Sequence, residues 1–119
     1  MATIDLSSLN DIDGFIGAAL VDSDSGLVLG TAGGGNINLD MAAAGNTEVV
    51  RAKRKTMKSL GLQDKIEDIL ISLQKQYHLI RPLDSNDAIF LYVALDRKQA
   101  NLGMSRQQLM KFEKTLDLS

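Results

Sequence analysis

Hydrophobic positions recur every three or four residues from Leu39 to about Leu60, the longest helical pattern in the chain. On a 3.6-residue wheel, Leu39, Ala42, Ala43, Val49, Val50, Met57 and Leu60 fall on one stripe. Arg51, Arg54, Lys55 and Lys58 gather on one flank. Met41, Gly45, Ala52, Thr56 and Ser59 make a third sector of mostly small residues. One apolar stripe is enough to seat a helix on a sheet. The small sector therefore invites a second helix to approach closely. The basic flank offers a face to an acidic partner, or is simply solvated. Asn46 and Lys53 lie within the apolar stripe. A monomer core has to satisfy both at some cost, whereas a pairing interface uses such residues to fix register.

The rest of the pattern is shorter in period. Ile4 to Ile12 predicts a short helix, capped by Asp5 or Ser7, with Ile4, Leu9 and Ile12 on its apolar face. Gly14 ends it. Phe15 to Val21 is continuously apolar, as in a strand buried on both faces. Asp22 to Gly26 reads as a turn, and Leu27 to Thr31 returns as the second strand of a hairpin. Ala32 to Asn36 is a glycine-rich connector, Asn38 an N-cap for the long helix, and Gly61 its C-terminal stop. Three strands follow, over Ile66–Leu73, Gln76–Leu83 and Ala88–Leu95. Their short connections force antiparallel neighbours. Pro82 belongs near a strand end, because it has no N–H for the ladder. Asp96 then caps a closing helix from about Arg97 to Leu116, with Leu102, Leu109, Phe112 and Leu116 facing the core. Gly103 inside that helix is explained by close packing on the sheet. The predicted order is αββαβββα, an α+β fold with a five-stranded antiparallel sheet.

Composition narrows the class. A chain of 119 residues with 45% apolar content suits one globular domain over 1–119. Thirteen basic and fifteen acidic residues leave a net charge of −2, so nothing argues for nucleic-acid binding. The absence of cysteine excludes disulfides, thiolate metal sites and a cysteine nucleophile. The N-terminus lacks a basic region followed by an apolar run, and no stretch has membrane-spanning length. A soluble, cytoplasmic protein with no membrane insertion is the expectation.

Candidate chemistry is thin. Asp22-x-Asp24-x-Gly26 opens like a calcium loop, but such a loop needs a glutamate at its twelfth position, where Gly33 stands. Gly33-Gly34-Gly35 before a helix lacks the spacing and the Gly-Lys-Ser/Thr ending of a phosphate cradle. His78 is the one histidine, in mid-strand beside Tyr77, with no partners for a triad. Arg81 and Arg97 suit surface ion pairs. Glu67 and Asp68 alternate across a strand and cannot converge on one substrate. The expectation is no enzyme, no metal and no cofactor.

Three stretches carry a resemblance. The first is Gly17-Ala-Ala-Leu-Val-Asp-Ser-Asp-Ser-Gly-Leu-Val-Leu-Gly30, an apolar strand, an acidic turn with glycine, then Leu-Val-Leu. The second is Tyr77-His-Leu-Ile-Arg-Pro-Leu83 with Ile89-Phe-Leu-Tyr-Val-Ala-Leu-Asp96, and the third Ala100-Asn-Leu-Gly-Met-Ser-Arg106. In this order the set resembles the roadblock/dynein-light-chain family over about Leu9 to Leu116. No single motif is specific; the ordered set is.

The resemblance implies an αββαβββα roadblock-like sandwich of the profilin/longin type. Members pair through the long helix and an adjoining strand, giving a ten-stranded sheet across the dimer. They bind Ras-like small GTPases as activators, exchange-type scaffolds or cofactors, or serve as light chains of motor complexes; bacterial forms partner a gliding-polarity GTPase. Where they activate, they remodel the GTPase and donate no arginine finger. For this chain that implies a homodimer contact through Met41, Gly45, Asn46, Ala52, Lys53, Thr56 and Ser59. A small GTPase would meet the paired helices and the flank Arg51, Arg54, Lys55 and Lys58. A structural adaptor without effect on nucleotide turnover is the alternative, and a small-ligand sensor ranks last for want of a pocket signature.

Overall fold

A computed structural model describes residues 4–116. A 3-10 turn at Ser7–Asp11 leads into strands β1 (Phe15–Asp22) and β2 (Val28–Gly33). The long helix α1 (Leu39–Ser59) follows, then β3 (Ile69–Ser72), β4 (Gln76–Pro82), β5 (Ile89–Asp96) and helix α2 (Leu102–Lys114). The strands form one antiparallel sheet in the order β2-β1-β5-β4-β3. β1 pairs on both sides, with β2 and β5, and Ala18 to Val21 are wholly buried. That is why its sequence is apolar without alternation.

The two faces of the sheet hold separate apolar clusters. Leu20, Leu79, Leu91, Val93 and Leu95 pack with Leu6, Leu9 and Ile12 of the N-terminal segment and with Leu109 and Phe112 of α2. On the other face Val21, Ile80, Phe90 and Tyr92 pack with Ala43 and Val50 of α1. The molecule is therefore layered helix, sheet, helix, as alternation along each strand requires when both faces are covered.

Both helices begin on an asparagine. Asn38 Oδ1 accepts the Met41 N–H at 3.0 Å, and Asn101 Oδ1 accepts the Met104 N–H at 3.0 Å. α1 stops at a paired-bond terminus: Gly61 N–H reaches the Lys58 carbonyl and Leu62 N–H the Met57 carbonyl, with Gly61 at φ 72°. A second glycine need lies where β1 crosses the connector. A Cβ on Gly17 would stand 2.7 Å from Gly34 Cα, so the two backbones touch.

Several expectations shift. The first helix is only a 3-10 turn, in which Asp5 Oδ1 accepts the Ser7 N–H, and Leu6 joins the core beside Leu9. Ala32 and Gly33 belong to β2. β3 starts at Ile69 rather than Ile66, since its pairing with β4 runs only from Ile69–Ile80 to Ser72–Tyr77. α2 starts five residues later than its Arg97 boundary, because Asp96 closes a turn of its own. Its Oδ1 accepts the Lys98 N–H and its carbonyl the Ala100 N–H. Gly103 is exposed in the first turn of α2, with only Asn101 Oδ1 near its missing Cβ, so packing on the sheet does not explain it. Pro82 closes β4, as its missing N–H demands. Arg81 is no surface residue: it makes a buried ion pair with Glu113.

Candidate functional site

α1 lies over β1 and β2. Its core side is Ala43, Thr47 and Val50, with Leu39, Asn46, Val49, Arg54 and Met57 partly covered. Thr47 is buried because its hydroxyl donates to the Ala43 carbonyl at 2.7 Å, hiding its polarity inside the helix. Leu60, placed on the apolar stripe by the sequence, is instead 65% exposed, just past the last helical residue, Ser59. Lys53 is exposed, and Asn46 sits at the border, its amide donating to the Ala42 carbonyl at 2.8 Å. Neither polar residue of the stripe burdens the core.

The basic flank divides in two. Arg51 Nε donates to the Ser23 carbonyl at 3.0 Å and its Nη2 to the Asp24 carbonyl. Arg54 donates to Ser23 Oγ and to the Asp87 carbonyl. These two arginines clamp the helix to the β1–β2 and β4–β5 turns. Lys55 and Lys58 are exposed and make no such bond. At the end of α1, Arg54, Lys58 and Lys65 share a cleft of about 290 Å³ with Asp64, Asp84 and Asp87. Three cations and three carboxylates leave it without a net sign.

Gly45, Ala52, Thr56 and Ser59 are exposed, and a Cβ on Gly45 would meet nothing within 4 Å. Met41 at 71% and Leu60 at 65% exposure bracket this small face at its two ends. Water thus covers a helix surface that is apolar at the ends and flat between them.

Away from the arginine clamp, α1 leaves part of the sheet open. β3 is an edge strand whose Ile69 and Ile71 rim the α1-side cluster together with Ala42 and Val49 of the helix, all four partly exposed. His78 lies opposite Ile71 on β3 and Ala94 on β5, residues of the same cluster, and is itself partly exposed. Its Nε2 lies 2.7 Å from Gln76 Oε1 and its Nδ1 3.2 Å from the Tyr92 hydroxyl. Its ring meets Tyr92 edge-on, centroids 5.4 Å apart. Burial draws the His78 imidazole below its ordinary value and pushes the Tyr92 phenol up.

Among the described residues no three of His, Cys, Asp and Glu gather to hold a metal ion. No helix there is long and apolar enough to cross a membrane. Arg97 lies 5.0 Å over the Tyr77 ring and donates to the Leu73 carbonyl, on an exposed corner. The His78–Tyr92 contact and the Arg81–Glu113 pair join residues far apart in sequence, and no local pattern announces either.

No family model matches the sequence, and no curated protein matches it either. Solved structures do. The Roadblock/LC7 domain from Streptomyces avermitilis superposes with a TM-score of 0.80 at 18% identity, covering 94% of each chain. The chain has the roadblock fold. Myxococcus xanthus MglB superposes at 0.70 with 19% identity over 92% of both chains. The gliding protein MglB from Thermus thermophilus gives 0.67 at 17%, over 92% of this chain and 85% of that one. At these identities the likeness is one of fold.

Proposed function

We propose that the chain is a non-enzymatic homodimeric regulator or cofactor of a Ras-like small GTPase, which it meets through paired copies of α1. One observation carries the reading: the exposed small face Gly45, Ala52, Thr56 and Ser59, bracketed by exposed Met41 and Leu60. Small residues let two helix backbones approach, and the large apolar ends gain from being covered. Charge runs the same way. Glu48 and Lys53 flank the small face five residues apart, so two antiparallel copies set unlike charges opposite each other. Asn46 and Lys53 then set the register. The GTPase half of the proposal is supported by the family resemblance in sequence and by the fold shared with the MglB structures.

Within this reading the partner contact moves onto Lys55 and Lys58, with Arg51 and Arg54 holding the helix beneath them. The protein works in the cytoplasm as one domain over 1–119. The test is capture of a Ras-like GTPase by the wild type and by Lys55→Glu/Lys58→Glu, followed by single-turnover GTP hydrolysis. Capture by the wild type alone, with a changed hydrolysis or exchange rate, is the expected result. Equal capture by both would remove the basic flank from the contact.

The second reading is a structural adaptor, which would capture its partner and leave nucleotide turnover unchanged.

A further inference from the structure

His78 is the one histidine of the chain, and it is partly exposed, beside Ile71 of the edge strand β3. In the neutral ring Nε2 donates to Gln76 Oε1, and Nδ1 accepts from the Tyr92 hydroxyl. Tyr92 is 1% exposed, so its hydroxyl depends on this contact. A second proton on Nδ1 forces the Tyr92 oxygen to accept, and its own hydrogen is then stranded in a buried site.

The surroundings give the charged imidazolium little support. β3 presents Ile69 and Ile71. β5 presents Ala94 and Tyr92, with Asp96 at the far end opposite Gln76. On α1, exposed Lys53 stands one turn beyond Val49 of this cluster, a like charge, and Glu48 is exposed on another side of the helix. Among the described residues no carboxylate bonds to the ring.

We propose that proton uptake by His78 is coupled to self-association: two copies pair while the imidazole is neutral and separate as it becomes charged. This rests on the pairing proposed above. Pairing along α1 and the neighbouring edge β3 takes the partly exposed His78 further from water, so the paired state opposes protonation more than the free one. By linkage, the factor by which pairing lowers the histidine's proton affinity equals the factor by which protonation weakens pairing. One such factor of about ten in each copy makes about a hundredfold for the pair. Association is full above the free chain's histidine value and weakens as pH falls through it.

Because there is one histidine, its imidazole Cε1–H resonance reports His78 without ambiguity. The experiment titrates that resonance from pH 8 to 5 at protein concentrations above and below the dissociation constant, alongside the dissociation constant itself at pH 7.5 and 5.5. His78→Gln serves as the variant that cannot titrate. The expected result is a midpoint lower in the concentrated sample, a dissociation constant about ten- to thirtyfold weaker at pH 5.5 than at pH 7.5, and little pH dependence in His78→Gln. A dimer with the same midpoint at both concentrations, or with a flat dissociation constant, overturns this inference and leaves the pairing standing. A chain that is monomeric at pH 8 at every concentration overturns both.

Discussion

Arg81 Nε and Glu113 Oε1 stand 2.9 Å apart, with both side chains less than a tenth exposed. The pair fastens α2 to the end of β4. The other carboxylate oxygen accepts the Asp84 N–H at 3.3 Å, extending the hold to the β4–β5 turn. Removing one partner leaves a buried charge alone, whereas replacing both removes the problem. Glu113→Leu or Arg81→Met alone should each cost about 3–5 kcal/mol, and the double variant clearly less than their sum. Urea unfolding of the four chains measures this; additive losses would mean that the two charges do not sense each other.

The two asparagine caps act on helices on opposite faces of the sheet, so their effects should add. Asn38→Ala and Asn101→Ala should each lower stability by about 1 kcal/mol. Thermal or denaturant unfolding of the singles and the double variant checks both size and additivity.

Arg51 and Arg54 should differ in kind from Lys55 and Lys58. Arg54→Ala loses its bonds to Ser23 and Asp87 and should cost about 1 kcal/mol in unfolding. Lys55→Glu and Lys58→Glu should stay within about 0.5 kcal/mol of the wild type. Equal stability losses at all four positions would contradict the division of the flank.

Where β1 crosses the connector there is no room for a side chain. Gly17→Ala places a carbon 2.7 Å from Gly34 Cα, a backbone atom that cannot swing aside. A loss of about 1–3 kcal/mol is expected, measured by the same unfolding, with Gly45→Ala as the unhindered control on α1.

What the sequence made legible were elements whose cause is local. α1 has a 3.6-residue pattern, an asparagine cap and a terminal glycine, and its observed bounds agree within a residue. β1 could be read as doubly covered from its unbroken apolar run. The misreadings have tertiary causes. Nothing between Asp96 and Asn101 breaks a helix, so the Asp96 turn, which delays α2, was invisible. Leu60 looks like a core residue until one knows where the helix ends. Thr47 looks polar, and its burial depends on a bond to its own helix. For the candidate site, the small face was readable as a helical stripe. The tethering of Arg51 and Arg54 was not, because their acceptors lie 27 to 33 residues away. His78 was read as a strand residue, packed or at the surface, without triad partners, and its contact with Tyr92 follows only from the pairing of β4 with β5.

Pairing through the small face of α1 is the claim on which the functional proposal stands. Ala52 is exposed at its centre, and glutamate is a good helix former, so Ala52→Glu should fold while setting two charges against each other in the contact. Light scattering at low micromolar concentration and pH 8 should give a dimer for the wild type and a monomer for Ala52→Glu. A wild-type monomer, or a dimer that Ala52→Glu leaves intact, would contradict the account.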